Sequence, residues 1–160
     1  MTTLSDLLPD SRIWIYQSSR EFTADETQQI NQLAKEFVNN WAAHGAPLMA
    51  AAEILYNRFL IIGVNENQAS ASGCSIDKSV GLVKKIEVDF NTNLLDRMLI
   101  AYRQGGQIKA CKLTQISALL AKSEITLNTV IFNNLVSTKK DWDENWQIAL
   151  KDSWIMQGVN

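Results

Sequence analysis

A short segment around Cys74 has the residue types that are best suited to chemistry. Residues 71–78 have the sequence Ala-Ser-Gly-Cys-Ser-Ile-Asp-Lys and lie where a polar loop is predicted to enter a helix. The start of a helix offers free backbone amides and a partial positive charge, which stabilise a thiolate or bind an anion. Cys74 is therefore the candidate nucleophile. The candidate ligand-binding residues of this segment are Ser72, Gly73, Cys74, Ser75 and Asp77.

The same segment also has a purely structural interpretation. Ser72 or Ser75 can cap the helix, and Cys74 can pack as a small hydrophobic side chain. Asp77 argues against catalysis, because a nearby carboxylate disfavours a thiolate and opposes the helix dipole. The sequence leaves both interpretations open.

Two other side chains are candidates to assist at this segment. His44 is the only histidine, and histidine is the side chain that ionises near neutral pH, so it is a candidate catalytic base. It is predicted at the last turn of the first long helix, where the helix dipole also favours a structural cation. Arg20 is added to the ligand-binding set because the planar fork of a guanidinium suits an anion, as it also does in Arg12 and Arg58. Solvation at the surface is the alternative for each arginine.

Nucleotide and metal motifs are not matched. Residues 73–79 lack the second glycine of a P-loop and are one residue short, so ATP hydrolysis is not predicted. Cys74 and Cys111 are far apart, are interpreted as free thiols, and with one histidine do not have the spacing of a zinc site. Residues 141–145 have the acidic spacing of a calcium loop, but Trp146 replaces its turn glycine. We predict no metal and no cofactor.

Composition limits the class of protein. The chain has 160 residues, 46% of them hydrophobic, which predicts a single globular domain over residues 1–160. A formal net charge of -2 argues against a nucleic-acid partner. The longest apolar run, residues 59–64, is too short to cross a membrane, and the first residues lack a signal-peptide pattern. We therefore expect a cytoplasmic protein without membrane insertion.

Apolar patterns place the candidate residues on strands and helices. Residues 12–16 are β-branched and aromatic and predict a first strand. Thr23 and Glu26 form a capping box, so a helix begins there and its apolar spacing continues to Trp41. A glycine and a proline beyond residue 44 are expected to end it.

The remaining chain continues this alternation. Residues 48–64 have mixed propensities and are predicted as two strands, the second at 59–64. From Ser75 to Phe90 the apolar residues share one helical face. The later elements are a hairpin of residues 97–102 and 107–112 around Gly105-Gly106, a helix at 114–122, a strand at 129–132, and an amphipathic tail from Asp141 with Trp142, Trp146 and Leu150 four apart.

This order of elements predicts the α+β class. Helices are expected on one face of a largely antiparallel sheet in two layers. The order β-α-β-β-α-β also fits a ferredoxin-like arrangement with extra strands. If residues 48–56 were helical, the ferredoxin-like topology would fail and the class would remain.

Six segments together resemble a family of short, uncharacterised bacterial proteins. They are residues 10–18, 41–45, 58–59, 71–77, 132–136 and 153–154, so the similarity spans nearly the whole chain. The resemblance implies that Trp-Ala-Ala-His-Gly and Ala-Ser-Gly-Cys-Ser-Ile-Asp are signature stretches. Some members are labelled ABC transporter ATPases, a label that the unmatched P-loop does not support.

Two functions follow from these observations. The first is a small cytosolic binding or interaction module, in which residues 72–77 hold an anionic group or a protein partner. The alternative is a thiol-dependent enzyme with Cys74 as nucleophile and His44 or Asp77 assisting. No second cysteine completes a Cys-X-X-Cys pair, so thioredoxin-type exchange is disfavoured. We expect the binding module.

Overall fold

The computed structural model describes residues 2–158 as helices and antiparallel sheets. The strands are β1 (Arg12–Gln17), β2 (Ala42–Ala43), β3 (Ala46–Pro47), β4 (Met49–Leu55), β5 (Phe59–Asn65), β6 (Leu99–Gln104), β7 (Gln107–Lys112), β8 (Val130–Phe132) and β9 (Gln147–Ala149). The α-helices are α1 (Ala24–Asn39), α2 (Gly73–Asp89), α3 (Ile116–Ala121) and α4 (Lys139–Asn145). The predicted α+β class is confirmed.

Strand β5 is the centre of the first sheet, in which the strand order is β1-β5-β4. Its two antiparallel ladders place Phe59 opposite Gln17 of β1 and opposite Leu55 of β4. Residues 59–64 are all buried, because α1 and α2 cover one face of the sheet and a second sheet covers the other. The continuous apolar run in the sequence therefore corresponds to a strand with two buried faces.

The helical layer is built from the elements that the sequence predicts. Helix α1 begins at the capping box, where Thr23 Oγ1 accepts from the Glu26 amide at 3.1 Å and the Glu26 carboxylate accepts from the Thr23 amide at 3.0 Å. Ile30 of α1 and Val83 and Ile86 of α2 are buried in the same apolar cluster. These contacts hold both helices on the sheet.

The second sheet has the order β7-β6-β8-β9 and packs on the opposite face of the first. Its β6–β7 hairpin turns at Gly105 and Gly106, whose φ angles of 59° and 77° favour glycine, as the sequence predicts. Phe59 of the first sheet meets Phe132 and Trp146 of the second region, with ring centroids 4.7 and 5.1 Å away. This aromatic contact joins the two sheets.

The arrangement differs from a ferredoxin-like sheet. The element order β-α-β-β-α-β is present once the short β2–β3 hairpin is set aside, but β6 pairs with β7 and β8 rather than with β1. The outer edge of β1 is partly occupied instead, since the Ile13 amide donates to the Ser137 carbonyl at 2.9 Å. The second sheet consequently adds a third layer to the two that the sequence predicts.

The first helix and the amphipathic tail both differ from their sequence patterns. Helix α1 stops at Asn39, and the buried side chain of Trp41 follows outside it. The tail is not one helix, because α4 ends at Asn145 and strand β9 begins at Gln147, directly after Trp146. Trp146 is nevertheless buried against the body of the domain, so tertiary packing rather than helical spacing determines its position.

A methyl group added at Gly63 tests the packing around β5. A Cβ atom there would overlap the Leu7 side chain and lie 3.0 Å from Ile13 Cδ1, and both neighbours are buried. We expect Gly63→Ala to lower the free energy of unfolding by about 1–3 kcal/mol, the usual cost of overpacking. Urea denaturation followed by tryptophan fluorescence would measure it.

The matched control is Gly81→Ala in α2. An added Cβ there has no atom within 4 Å, and alanine has the higher helix propensity. This variant should be about 0.5–1 kcal/mol more stable than the wild type. Equal effects at the two positions would contradict the packing described here.

Candidate functional site

The segment around Cys74 forms the first turn of α2 and satisfies its own polar groups. Ser72 is the N-cap, and its Oγ accepts from the Ser75 amide at 3.1 Å, while Ser75 Oγ accepts from the Ser72 amide at 2.7 Å. Ser75 is buried, and its backbone carbonyl accepts a hydrogen bond from Trp41 Nε1 at 2.8 Å. Both hydroxyls therefore act as structural caps.

Gly73, Cys74 and Asp77 lie on the exposed side of this turn. His44 is also exposed, but it lies in the β2–β3 turn with a φ of 52° rather than at the end of α1. The predicted helical position of His44 is wrong because α1 ends before the hairpin begins. Strand β2 contacts α2, yet no hydrogen bond within residues 2–158 joins His44 to Cys74.

Arg20 lies away from the Cys74 segment. Its guanidinium donates to Glu26 through two hydrogen bonds of 2.8 and 2.7 Å, and it also reaches the carbonyls of Phe90 and Asn91. These residues follow the C-terminal end of α2, a helix of 17 residues and thus about 25 Å long. The predicted grouping of Arg20 with residues 72–77 is therefore wrong, because Arg20 ties the start of α1 to the far end of α2.

Neither a membrane span nor a clustered metal site is found in the described part of the chain. No helix within residues 2–158 combines the length and the apolar character needed to cross a bilayer. Among the same residues, no three His, Cys, Asp or Glu side chains are grouped so that they could hold a metal ion.

A cavity of about 300 Å³ lies beside the outer edge of β1. Its walls are β1, the loop of residues 94–97 before β6, and the segment of residues 134–137 after β8, with Trp154 also contributing. The volume is at the lower end of the range for small-ligand sites. Arg12, one of the three arginines considered for an anion, lines it, whereas His44, Arg20 and residues 72–77 are not among its lining residues.

Strand β1 presents unpaired backbone groups to this cavity. The Ser18 amide donates inward to the Arg58 carbonyl, whereas the Ile13 amide donates outward to Ser137. Because successive residues of a strand point to opposite sides, the amides and carbonyls of Ile15 and Gln17 also point outward. No hydrogen-bond partner for these four groups is found within residues 2–158.

Gln17 belongs to the cavity wall and has a side-chain donor with no partner among the described residues. Gln17 is only 5% exposed, and its Oε1 accepts from Asn134 Nδ2 at 2.9 Å. Asn134 Oδ1 in turn accepts from Trp146 Nε1 at 3.0 Å, which fixes the orientation of both amides. Gln17 Nε2 is buried and has no partner among the described residues. A buried unsatisfied donor is costly, so this group is suited to a ligand acceptor.

Charged and apolar side chains surround the cavity. The Arg12 guanidinium stacks 4.6 Å from the Trp14 ring centroid and lies 3.6 Å from Glu66, whereas exposed Arg97 has no ion pair within residues 2–158. Burial raises the pKa of Tyr16, although the nearby Ser79 and Arg97 partly offset this, so the phenol stays neutral at pH 7. The cavity can therefore hold an anionic group at Arg97.

The sequence contains no motif that indicates this cavity. Gln17 and Asn134 are 117 positions apart, and their contact depends on how the two sheets pack. The one available signal is that a glutamine follows the apolar and aromatic residues 13–16 of β1. That signal does not show whether its amide is solvated or buried.

Comparisons with protein-family models, curated proteins and solved structures found no match for this chain. The resemblance to short bacterial proteins therefore stays a prediction.

The two thiols should differ in reactivity. Cys74 is exposed, whereas Cys111 is buried in β7, and burial raises the pKa of the Cys111 thiol. We expect iodoacetamide to label Cys74 first at pH 7–8, because the thiolate is the reacting form. Mass-spectrometric peptide mapping would measure both rates. Earlier labelling of Cys111 would contradict the structure, and Cys74→Ser should leave only the slow reaction.

The Arg20–Glu26 pair should make stability depend on acid pH. The Arg20 guanidinium lowers the pKa of Glu26 from 4.5 to about 2, with a further contribution from the Thr23 amide. Because the folded-state pKa is depressed, this stabilisation is fully present above pH 4.5 and is lost as the pH falls toward 2. The difference in unfolding free energy between the wild type and Glu26→Gln should therefore shrink over that interval.

Urea titrations at several pH values would measure this difference. In an Arg20→Gln background, most of the pH dependence of the Glu26→Gln effect should disappear. A difference that is the same at pH 2 and pH 7 would show that the ion pair does not stabilise the fold.

Proposed function

We propose that this protein is a small binding module and that its ligand occupies the cavity beside β1. The observation that carries the proposal is the buried amide of Gln17, a residue of the cavity wall, whose Nε2 has no partner among the described residues. A ligand acceptor at this position would offset the cost of burying the donor. The unpaired edge of β1 offers further donors and acceptors to the same ligand.

The sequence favours a binding module with its site at residues 72–77, and we propose the same function with the β1 cavity as its site. At the start of α2 the hydroxyls of Ser72 and Ser75 are engaged in the cap, so only exposed backbone and side-chain groups remain there for a ligand. The β1 cavity combines enclosure, a buried polar side chain at Gln17, and Arg97, which has no ion pair within residues 2–158. We also propose that the protein acts in the cytoplasm and belongs with the short bacterial proteins that its sequence resembles.

The alternative function is a thiol-dependent enzyme with Cys74 as nucleophile. The observation that favours it is the exposure of Cys74 on the first turn of α2. If Cys74 is alkylated only at the rate of an ordinary accessible cysteine, the result would contradict the enzyme and favour the binding module.

Small amide and carboxylate probes can test the proposed site. In two-dimensional ¹H–¹⁵N NMR spectra, N-methylacetamide and acetate, titrated separately, should shift the backbone signals of Ile15 and Gln17 saturably. Gln17→Leu should weaken the response to N-methylacetamide by about fivefold or more, because a hydrogen bond to a buried donor is worth about 1 kcal/mol.

The matched control is Gln107→Leu, which changes an exposed glutamine on β7 and should leave the titration unchanged. Signals that shift only within residues 72–77, or that do not shift at all, would contradict the β1 site.

A further inference from the structure

The geometry of the β1 edge identifies the class of ligand: we propose that the cavity binds the last two or three residues of an extended peptide with a free α-carboxylate. This inference rests on the proposed function, since it names the ligand of the same site. Three features carry it: the unpaired strand edge, its closed ends, and the polar and apolar side chains on its rim.

The unpaired groups match a peptide backbone. Ile15 and Gln17 each direct one amide and one carbonyl toward the cavity, which repeats the donor and acceptor spacing of a strand edge. An extended peptide can satisfy all four groups by lying beside β1, as in other cases of strand addition. Gln17 Nε2 supplies one more donor for a peptide carbonyl.

Both ends of this edge are already closed. On one side Ile13 donates to Ser137, and on the other the Ser19 amide donates to the Asn93 carbonyl, each at 2.9 Å. The span from Ile13 to Ser19 is about 20 Å at the rise of an extended strand. Between the closures, Ile15 and Gln17 are the two outward-facing residues without a backbone partner in the described part of the chain. A strand that continued in both directions would collide with them, so a chain end fits where a through-running segment does not.

Charge selects the carboxyl end of such a peptide. Arg97 lies on the rim and has no ion pair within residues 2–158, whereas Arg12 already contacts Glu66 and the Trp14 ring. Asp96, also on the rim, accepts from the Met98 amide at 2.9 Å. The guanidinium of Arg97 is therefore the group available for a terminal carboxylate, which it can bind through two parallel hydrogen bonds.

Apolar side chains form the remaining rim. Leu95 and Leu135 line the cavity and are 39% and 61% exposed. Large apolar side chains that are exposed beside a cavity are typical of a binding surface. They provide contacts for apolar side chains of the bound peptide, so a terminus such as Ala-Val-Leu should be preferred to one of small polar residues.

Calorimetry with defined peptides tests the proposal. The probes are N-acetyl-Ala-Val-Leu with a free carboxylate and the same peptide as its C-terminal amide. The free acid should bind about tenfold more tightly than the amide, because the neutral amide cannot form the charge-assisted pair with Arg97. Arg97→Gln should remove this preference, and Lys84→Gln, which changes an exposed lysine on α2, should retain it.

Longer peptides distinguish the source of the ligand. If a twelve-residue peptide that ends in Ala-Val-Leu binds as tightly as the short one, the ligand is the C terminus of a protein. If the longer peptide does not bind, the ligand is a free short peptide. Either result supports the proposal. Equal affinity for acid and amide would overturn it, and so would equally tight binding when Ala-Val-Leu lies in the middle of the longer peptide.

Failure of this inference differs from failure of the proposed site. If the ligand class is wrong, N-methylacetamide and acetate still shift the signals of Ile15 and Gln17 while the peptide acid shows no preference. If the site is wrong, neither kind of probe affects those signals.

Discussion

The burial of β5 on both faces is the constraint on which the rest of the structure depends. Residues 59–64 have no polar side chain, so the strand is stable only if one layer covers each face and one strand pairs with each edge. Helices α1 and α2 provide one layer, and the second sheet provides the other through the contact of Phe59 with Phe132 and Trp146. Strands β1 and β4 occupy the edges and thereby become the outer strands of the sheet.

This position of β1 creates the cavity. A strand with a neighbour on one side has backbone groups on its other side that other parts of the chain must satisfy. Within residues 2–158, such partners for β1 are found at its two ends. Between those ends, residues 94–97 and 134–137 face β1 across the cavity. The same packing buries Gln17, since the amide of Asn134 reaches it from the segment that follows β8. Enclosure and unsatisfied polarity thus have a common origin in the junction of the two sheets.

The parts of the fold that the sequence predicts are those determined by local chemistry. The capping box at Thr23, the turn at Gly105 and the apolar run of β5 each depend on residues a few positions apart, and all three form as expected. The errors concern contacts between distant residues. The sequence does not indicate a partner for the Arg20 guanidinium, but in the folded chain it bonds to the Glu26 carboxylate and to the Phe90 carbonyl after α2. The cavity depends on contacts of the same long-range kind, which residue types and spacing do not specify.

The outer edge of β4, the other outer strand of the first sheet, affects how the folded chain meets other molecules. An open strand edge can pair with the edge of another molecule and begin aggregation. On β4 the outward amide of Ile54 donates at 2.8 Å to Asn31 Oδ1 of α1, so a side chain from the covering helix occupies a position where a foreign strand would otherwise bond. The asparagine on the helix therefore occupies one hydrogen-bonding position of the β4 edge, a role that the helix's own pattern of apolar residues does not indicate.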